Sequence, residues 1–272
     1  MRDKAIYVAK AIGRRVVWAP ADLLNGIRNG RSLPPRGLSF VGPTNFEQTG
    51  KDFLEHFVEY GGLSPDDRVL DMGCGIGRMA IPLTGYLQDG SYKGFDVGKE
   101  MIRWCQHRIT PEHPSFDFTW APIYNAKYNP FGTVSALEYE FPYPDDHFDF
   151  ALATSLFTHM ARAEVQHYLE ELSRVLKPEG RAFLTFFLIS PEAEAEIAAG
   201  RADFDFQLNG DRAWTIDSRL PEEAIAFAVD DTREMIESAG LAIREPIHHG
   251  RWANAPGAPT LQDIVVVEAP RG

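Results

Sequence analysis

The chain has 272 residues, 44% of them hydrophobic, and a formal net charge of −12 at pH 7. This length is enough for one large domain, or one domain with a cap, that buries a sizeable core. The negative charge argues against a nucleic-acid partner. Two cysteines are too few for a disulfide framework. Because there is also no bilayer-long apolar run and no signal-peptide pattern, we predict a cytoplasmic protein.

The N-terminal segment differs in charge from the rest of the chain. Residues 1–40 hold eight Arg or Lys and two Asp, a net charge of +6, and the remainder carries −18. Apolar residues recur at helical spacing over Ala5–Trp18, which predicts a basic amphipathic helix. Through residues 1–24, such a helix can lie on the inner membrane surface as a peripheral contact. The alternatives are a helix folded over the ligand cleft or packed on a partner subunit.

We expect this arm and a following hinge to occupy residues 1–45. The segment Asn25–Pro43 is rich in Gly, Pro, Arg and Asn, which is typical of a loop or hinge. The main domain is then residues 46–272.

A glycine turn follows the first predicted strand of that domain. Residues 68–79 read as an apolar strand ending in Asp71, then Gly73, Gly75 and Gly77, then a helix-compatible segment over Gly77–Leu87. Glycine allows positive φ and lets a ligand approach bare backbone. A helix start would add unpaired N–H groups.

The spacing of this turn distinguishes between two ligand classes. The dinucleotide fingerprint needs glycine at position 78, where the chain has Arg78. An NAD-linked reductase is therefore the least favoured interpretation. A second predicted strand, Ser91–Val97, contains Asp96, about 20 residues beyond the last glycine. A carboxylate at that spacing is placed to accept hydrogen bonds from both ribose hydroxyls. The pattern predicts a nucleoside ligand.

Further along the chain, two segments are candidates for a second binding site. Ala121–Phe141 is irregular and aromatic, either a wall of the substrate pocket or a structural loop. Phe148–Ser155 is a continuous apolar run, as in a buried parallel strand. It delivers Ser155 and His159 to the carboxyl edge of the sheet, where open α/β folds bind ligands.

The last third of the chain predicts a cap and the end of the sheet. The polar, irregular stretch at about 190–231 is interpreted as a cap over the acceptor pocket. Leu241–His248 and Asp263–Glu268 are predicted to form an antiparallel strand pair. The whole pattern predicts an α/β fold with a seven-stranded, mostly parallel sheet and helices on both faces.

The order of these elements resembles a known family. Asp-x-Gly-x-Gly-x-Gly at 71–77, Asp96, the strand at 148–155 and the Leu-Lys-Pro-x-Gly turn at 176–180 resemble class I (Rossmann-like) methyltransferases that use S-adenosyl-L-methionine (SAM). Less specific patterns at 124–130, 157–160, 250–252 and 262–263 are similar to bacterial sugar- and glycan-associated members.

The resemblance implies SAM as cofactor, S-adenosyl-L-homocysteine as product, and roles for particular residues. It implies cofactor contacts for Asp71, Gly73, Cys74, Gly75, Gly77, Asp96, Val97, Met101, Ser155 and Leu156. Among these, Asp96 would bind the ribose, Val97 and Met101 would line the adenine pocket, and Ser155 and Leu156 would lie under the sulfonium. No acidic residue in Trp120–Tyr124 aligns with the family's adenine-binding Asp. Candidate substrate contacts are Tyr124, Tyr128, Asn129, His248 and Trp252.

Methyl transfer to a hydroxyl benefits from a general base, and His159 is the leading candidate. The alternative for His159 is a structural role at the start of the following helix, and His248 and His249 are second candidates for the base. No metal-ligand spacing is present. The predicted function is O-methylation of a carbohydrate or glycolipid. The alternatives are methylation of a small metabolite or quinone, which predicts a tight apolar pocket, and a SAM-binding module without turnover. The sequence leaves the oligomeric state open.

Overall fold

A computed structural model of the chain describes residues 2–28, 33–38, 45–210 and 212–271. In this part of the chain, short 3-10 helices lie at Arg36–Leu38, Phe157–His159, Pro221–Glu223 and Arg251–Ala253. The α-helices are α1 (Arg2–Arg28), α2 (Phe46–Glu59), α3 (Ala80–Leu83), α4 (Lys99–Arg108), α5 (Arg162–Val175), α6 (Pro191–Ala198) and α7 (Val229–Ser238). The strands are β1 (Arg68–Met72), β2 (Ser91–Asp96), β3 (Phe116–Trp120), β4 (Phe148–Ala153), β5 (Leu176–Phe186), β6 (Leu188–Ile189), β7 (Gln207–Leu208), β8 (Ala213–Thr215), β9 (Ile225–Ala228), β10 (Ala242–His248) and β11 (Asp263–Glu268).

The predicted seven-stranded sheet is confirmed, with strand order β3-β2-β1-β4-β5-β11-β10. The first five strands are parallel, whereas β11 runs antiparallel to β5 and β10 antiparallel to β11. The strand order reverses between β1 and β4. In open α/β sheets a crevice forms at such a point, outside the carboxyl ends of the strands.

Helices cover both faces of the sheet because alternate strand residues point to opposite sides. On β1, Val69 packs with side chains of α2, α3 and α4, whereas the next residue, Leu70, packs with α5 and α7. Both side chains are fully buried. Central strands such as β4, in which Asp149 is the one charged residue, are therefore largely apolar, which explains why the run at 148–155 is recognisable in the sequence.

The predicted cap differs from the irregular polar insertion that we expected. It contains α6 and a second sheet of order β6-β9-β8-β7. Its own apolar cluster includes Phe187, Phe206 and Trp252, with Phe204 packed against it. The strands of this second sheet are only two to four residues long. Strands this short are not long enough to show an alternating pattern of apolar and polar residues, so the sequence did not predict them.

The N-terminal helix is longer than predicted and packs on the chain. It continues beyond Trp18 to Arg28, so the proposed hinge at Asn25–Pro43 begins with helix. Asp22 accepts hydrogen bonds from the backbone N–H groups of Arg36 (2.7 Å) and Gly37 (3.1 Å). The rest of that hinge, residues 29–32 and 39–43, lies outside the described residues. Across the described ranges, no helix combines the length and apolar character needed to cross a membrane.

Candidate cofactor and acceptor site

A cavity of about 310 Å³ opens at the carboxyl ends of β1, β2 and β4. Many residues that the sequence singled out line this cavity. They are Asp71, Gly73, Cys74, Gly75, Asp96, Val97, Met101, Tyr124, Tyr128, Ser155, Leu156 and His159. Ile123, Asn125 and Ala136 also line the cavity, and they lie in the segment 121–141, for which a wall of the substrate pocket is one of the two sequence-based interpretations. The other lining residues have no site role in the sequence analysis. These are Phe46, Ile76, Arg78, Met79, Thr154, Met160, Glu164 and Tyr168.

The glycine turn shapes one end of the cavity. Gly73, Gly75 and Gly77 have φ angles of 76°, 55° and 80°, which strongly favour glycine. A Cβ on Gly75 would meet no protein atom within 4 Å, so this backbone faces open space. A Cβ on Gly73 would lie 3.1 Å from the Leu156 side chain. The turn therefore presents bare backbone where a ligand can approach closely.

Gly77 has a different role from the cofactor contact implied by the resemblance. A Cβ there would lie 2.9 Å from Ile109 and 3.2 Å from the Cys105 sulfur, so the residue allows close packing beneath the turn. The helix that follows is also shorter than predicted, because α3 ends at Leu83. Pro82 lacks a backbone donor and Gly85 weakens the next turn. Because α3 is only four residues long, its dipole contributes little to ligand binding at the glycine turn.

Asp71 places a buried carboxylate at the floor of the cavity. The Tyr92 hydroxyl donates a 2.5 Å hydrogen bond to its Oδ2, whereas Oδ1 is buried without a hydrogen-bond partner among the described residues. Burial raises the pKa of Asp71 to about 7, and the nearby Asp96 carboxylate adds to this shift. An orphaned acceptor of this kind suits a cationic donor such as an ammonium group.

Asp96 is held by the backbone of the two turns beside it. Its Oδ2 accepts a 2.9 Å hydrogen bond from the Gly75 N–H, and its Oδ1 accepts a 2.6 Å bond from the Gly98 N–H. Burial raises the pKa of Asp96, and these two hydrogen bonds oppose the increase. Each oxygen retains a further lone pair, so the carboxylate can accept from two neighbouring hydroxyls.

Arg78 contributes a guanidinium group to the cavity. In the sequence analysis this residue served only to exclude the dinucleotide fingerprint, which needs glycine at position 78. It lines the cavity near Asp71 and has no hydrogen bond or ion pair within the ranges that the structure describes. Burial lowers its pKa from the usual range. Guanidinium groups bind carboxylates in a bidentate manner. Asp71 and Arg78 together suit an amino acid, with one group for its ammonium and one for its carboxylate.

Ser155 follows β4 in a left-handed conformation, with a φ of 56°. Its N–H donates to the Thr185 hydroxyl (2.8 Å), and its own hydroxyl donates to Gln262 Oε1 (3.0 Å). Such a conformation in a non-glycine residue persists where the surroundings hold it. These bonds place Ser155 and Leu156 opposite the glycine turn. Val97 and Met101, which the resemblance implies for the adenine pocket, line the cavity and offer apolar walls there.

His159 lies at the other side of the cavity, on the 3-10 helix Phe157–His159. Its Nδ1 is 2.9 Å from the backbone carbonyl of Glu222, and a carbonyl only accepts. Nδ1 therefore carries the hydrogen, and Nε2 is the acceptor. Burial lowers the pKa of His159 to about 4, with Lys127 adding to the shift. The imidazole is neutral at physiological pH.

The cavity wall around His159 is largely apolar and aromatic. The Tyr128 ring makes an edge contact with the imidazole, with ring centroids 5.2 Å apart. Ile123, Met160 and Tyr168 are buried and continue this wall. Glu164 adds a carboxyl whose pKa is raised by burial. These residues come from the loop at 121–141, from the 3-10 helix and the residue after it, and from α5. The amphipathic pattern of α5 does not tell which of its residues face a cavity.

Asn129, His248 and Trp252 are not among the residues that line the cavity. The Asn129 side chain donates to the Ile123 carbonyl (2.8 Å) and so shapes the loop. The His248 ring contacts the Tyr60 ring in a tilted arrangement, with ring centroids 4.3 Å apart. Trp252 is fully buried in the apolar cluster of the cap, where its Nε1 donates to Asp263 (2.7 Å). In the structure, these three side chains serve packing and local hydrogen bonds, and, although predicted as substrate contacts, they are not at the cavity.

His249 also bonds to Asp263, at 3.0 Å, and this carboxylate raises the pKa of His249. Of the candidate bases, only His159 lines the cavity. Within the described ranges, no group of three His, Cys, Asp or Glu side chains is arranged to hold a metal ion.

SAM fits the chemistry of this donor set. Asp71 and Arg78 match the two charges of its methionine part, and Asp96 matches the ribose hydroxyls. The carboxylates also favour the positive sulfonium by Coulomb attraction in a partly buried site.

Comparison with known proteins agrees with this assignment. The family model described as "Methyltransferase domain" matches residues 70–184, which run from β1 through most of β5. The uncharacterized methyltransferase YcgJ of Bacillus subtilis is 31% identical over 208 residues, 74% of this chain and 70% of that protein.

One further relative and one solved structure carry more specific names. The 2-phytyl-1,4-naphtoquinone methyltransferase of Nostoc is 26% identical over 134 residues, 49% of this chain. The chain spans about half (52%) of the length of that enzyme. The structure of magnesium protoporphyrin IX methyltransferase from Synechocystis, with bound S-adenosylhomocysteine, has a TM-score of 0.51 and 16% identity, covering 93% of this chain and 98% of that one. At this identity the likeness shows the fold alone.

Proposed function

The chain belongs to the class I SAM-dependent methyltransferases, and from that premise we propose that it methylates a hydrophobic, ring-containing small molecule. We further propose an acidic hydroxyl, such as that of a phenol or hydroquinone, as the methylated group. The observation that carries this proposal is the aromatic wall around a neutral imidazole on the acceptor side of the cavity. The Nostoc relative, which by its name acts on a naphthoquinone, is consistent with it.

SAM, when bound, supplies an electrophilic methyl group on a positively charged sulfur. Asp71 and Arg78 would hold its amino-acid part, and Asp96 its ribose. These contacts fix the direction from which an acceptor can approach, and such alignment supplies much of the rate of a displacement reaction. Ser155 and Leu156 would restrict the space beside the sulfur.

His159 would act on the acceptor through Nε2. Because Nδ1 donates to the Glu222 carbonyl, Nε2 is the ring nitrogen that would accept a hydrogen bond from a hydroxyl in the cavity. The proton leaves that oxygen as the new bond to carbon forms and the oxygen becomes more acidic. An imidazole with a pKa of about 4 is a weak base. It is better matched to a phenol, with a pKa of about 10, than to an alkyl alcohol.

A carbohydrate or glycolipid acceptor, which the sequence predicted, has less support. Sugars need several polar partners to replace their hydration, whereas Ile123, Met160 and the tyrosine rings offer mainly apolar surface. O-methylation itself remains part of the proposal.

The test is transfer of labelled methyl from SAM to defined acceptors in detergent. We expect label in phenols or hydroquinones, lost in Asp96→Ala and reduced in His159→Gln. The exposed His107→Gln is the matched control and should retain activity. Label confined to sugars or glycolipids would contradict the proposal. SAM binding without transfer to any acceptor would also contradict it and favour a binding module.

A further inference from the structure

The N-terminal helix α1 is oriented in the opposite way to an ordinary surface helix. Its protein-facing side carries Tyr7, Arg14, Trp18 and Asp22, which are partly buried. Its outward side is apolar: Val8, Ile12, Val16 and Val17 are 43%, 57%, 69% and 70% exposed. The residues between them on this side, Ala9, Gly13, Ala19 and Pro20, are small or apolar and are also exposed.

Several contacts on the inward side fix this orientation. Tyr7 makes an edge contact with Phe131, with ring centroids 6.1 Å apart, and the Arg36 guanidinium lies 5.3 Å from the Trp18 ring centre. At the edge of the helix, Arg15 forms an ion pair with Glu100 at the start of α4. The outward apolar side is therefore left exposed by the packing of the helix.

Basic residues border the apolar side. At 100° per residue, Lys4 and Arg15 fall along one edge of the exposed strip and Lys10 along the other. All three are exposed, and Arg15 is also in the ion pair with Glu100 described above. Residues 1–40 carry a net charge of +6 within a chain of −12. An apolar strip between cationic edges is complementary to a surface that combines hydrocarbon with negative charge.

We propose that the outward side of α1 binds an anionic lipid bilayer, with the helix lying in the membrane surface. Phe131, which contacts α1, is 51% exposed, and Tyr124, which lines the cavity, is 47% exposed. Bilayer contact through α1 would bring the loop 121–141, which carries both residues, close to the lipid. One part of the inference rests on the proposed function: if the acceptor is hydrophobic, it would enter the cavity from the membrane. Pairing of two α1 helices is disfavoured because each carries the same positive edges.

The test is flotation of the full chain with two kinds of vesicle. One contains phosphatidylcholine alone, and in the other about a third of the lipid is phosphatidylglycerol. We expect binding to the anionic vesicles, weaker binding at high salt, and at least about a tenfold loss of affinity in the double variant Ile12→Asp, Val16→Asp. Both positions are exposed, so the variant should fold.

Leu208→Asp is the matched control, since Leu208 is 64% exposed on the second sheet. It should bind vesicles as the wild type does. No binding by the wild type, or equal binding by the double variant, would overturn the proposal. A wild-type dimer that the double variant abolishes, without vesicle binding, would instead assign this side to a second copy. SAM binding by calorimetry and transfer to acceptors in detergent need no bilayer, so they test the proposed function separately.

Discussion

The cofactor half and the acceptor half of the cavity are constructed differently. The cofactor half consists of the glycine turn and of carboxylates on adjacent strands, with Asp96 held by two backbone N–H groups. The acceptor half consists of side chains from a loop and from α5, such as Tyr128 and Tyr168. The first half has fixed charges matched to one ligand. The second has mainly shape and apolar surface, which can change between relatives without disturbing the sheet.

The largest expected effect concerns Asp71, whose ionised form is destabilised by burial. Its pKa of about 7 in the folded, ligand-free protein compares with about 3.9 in an unfolded chain. The stability that this group contributes is present below pH 3.9 and is lost as pH rises through 7. Asp71→Asn should therefore stabilise the ligand-free protein at pH 8, by up to about 4 kcal/mol, and the difference should vanish near pH 4. Urea unfolding across this pH range measures it.

The same substitution should weaken SAM binding. In the wild type, affinity for SAM should rise with pH through 7, because the ammonium group of SAM needs the carboxylate. In Asp71→Asn the pH dependence should disappear. Calorimetry at several pH values checks both points, and Asp89→Asn at an exposed site is the control. A wild-type affinity that is flat between pH 6 and 8 would contradict the assigned contact.

The second prediction tests whether the cofactor half acts independently of the acceptor half. Asp96→Ala removes the proposed ribose acceptor and two backbone contacts, so affinity for SAM should fall about a hundredfold, or about 2.7 kcal/mol. Tyr128→Leu, in the other half, should leave this affinity within about twofold. Equal losses in the two variants would mean that the halves are not separate.

This contrast explains what the sequence could predict. Asp71, Gly73, Gly75 and Asp96 follow strand ends in a fixed order, and strand order fixes where they meet. The spacing of these residues along the chain was therefore enough to predict that they lie together. Arg78 was visible in the sequence, but its place in the cavity wall depends on the turn continuing into the short α3.

The acceptor half depends on contacts between segments distant in the chain. Trp252 and His248 are aromatic residues near the expected cap, yet their places were decided by packing against Phe187 and Tyr60. Glu164 and Tyr168 lie on a helix whose amphipathic pattern shows which side is buried but not that a cavity lies there. The tautomer of His159 is set by a carbonyl 63 residues away, which no local pattern reveals.

The third prediction concerns His159 and separates the halves by kinetics. His159→Gln should lower kcat by about ten- to a hundredfold and leave the affinity for SAM unchanged, because the proposed role is on the acceptor. Since the pKa of His159 is about 4, protonation of the imidazole should not reduce wild-type activity until pH falls toward 4. With SAM held at saturation, the measurement is kcat from pH 5 to 8. A fall centred near pH 6.5 would indicate an exposed imidazole and contradict the buried geometry.

The smallest effect is expected for the aromatic wall. Tyr128→Leu keeps apolar bulk beside His159 but removes the ring whose edge contacts the imidazole. An aromatic acceptor would lose about 1 kcal/mol of ring contact, so its KM should rise roughly fivefold with kcat nearly unchanged. Tyr128→Phe, which retains the ring, should keep a KM close to that of the wild type. If the Phe and Leu variants lose affinity equally, the hydroxyl of Tyr128 binds the acceptor, and the acceptor half would then be specific through polar contacts, as the cofactor half is.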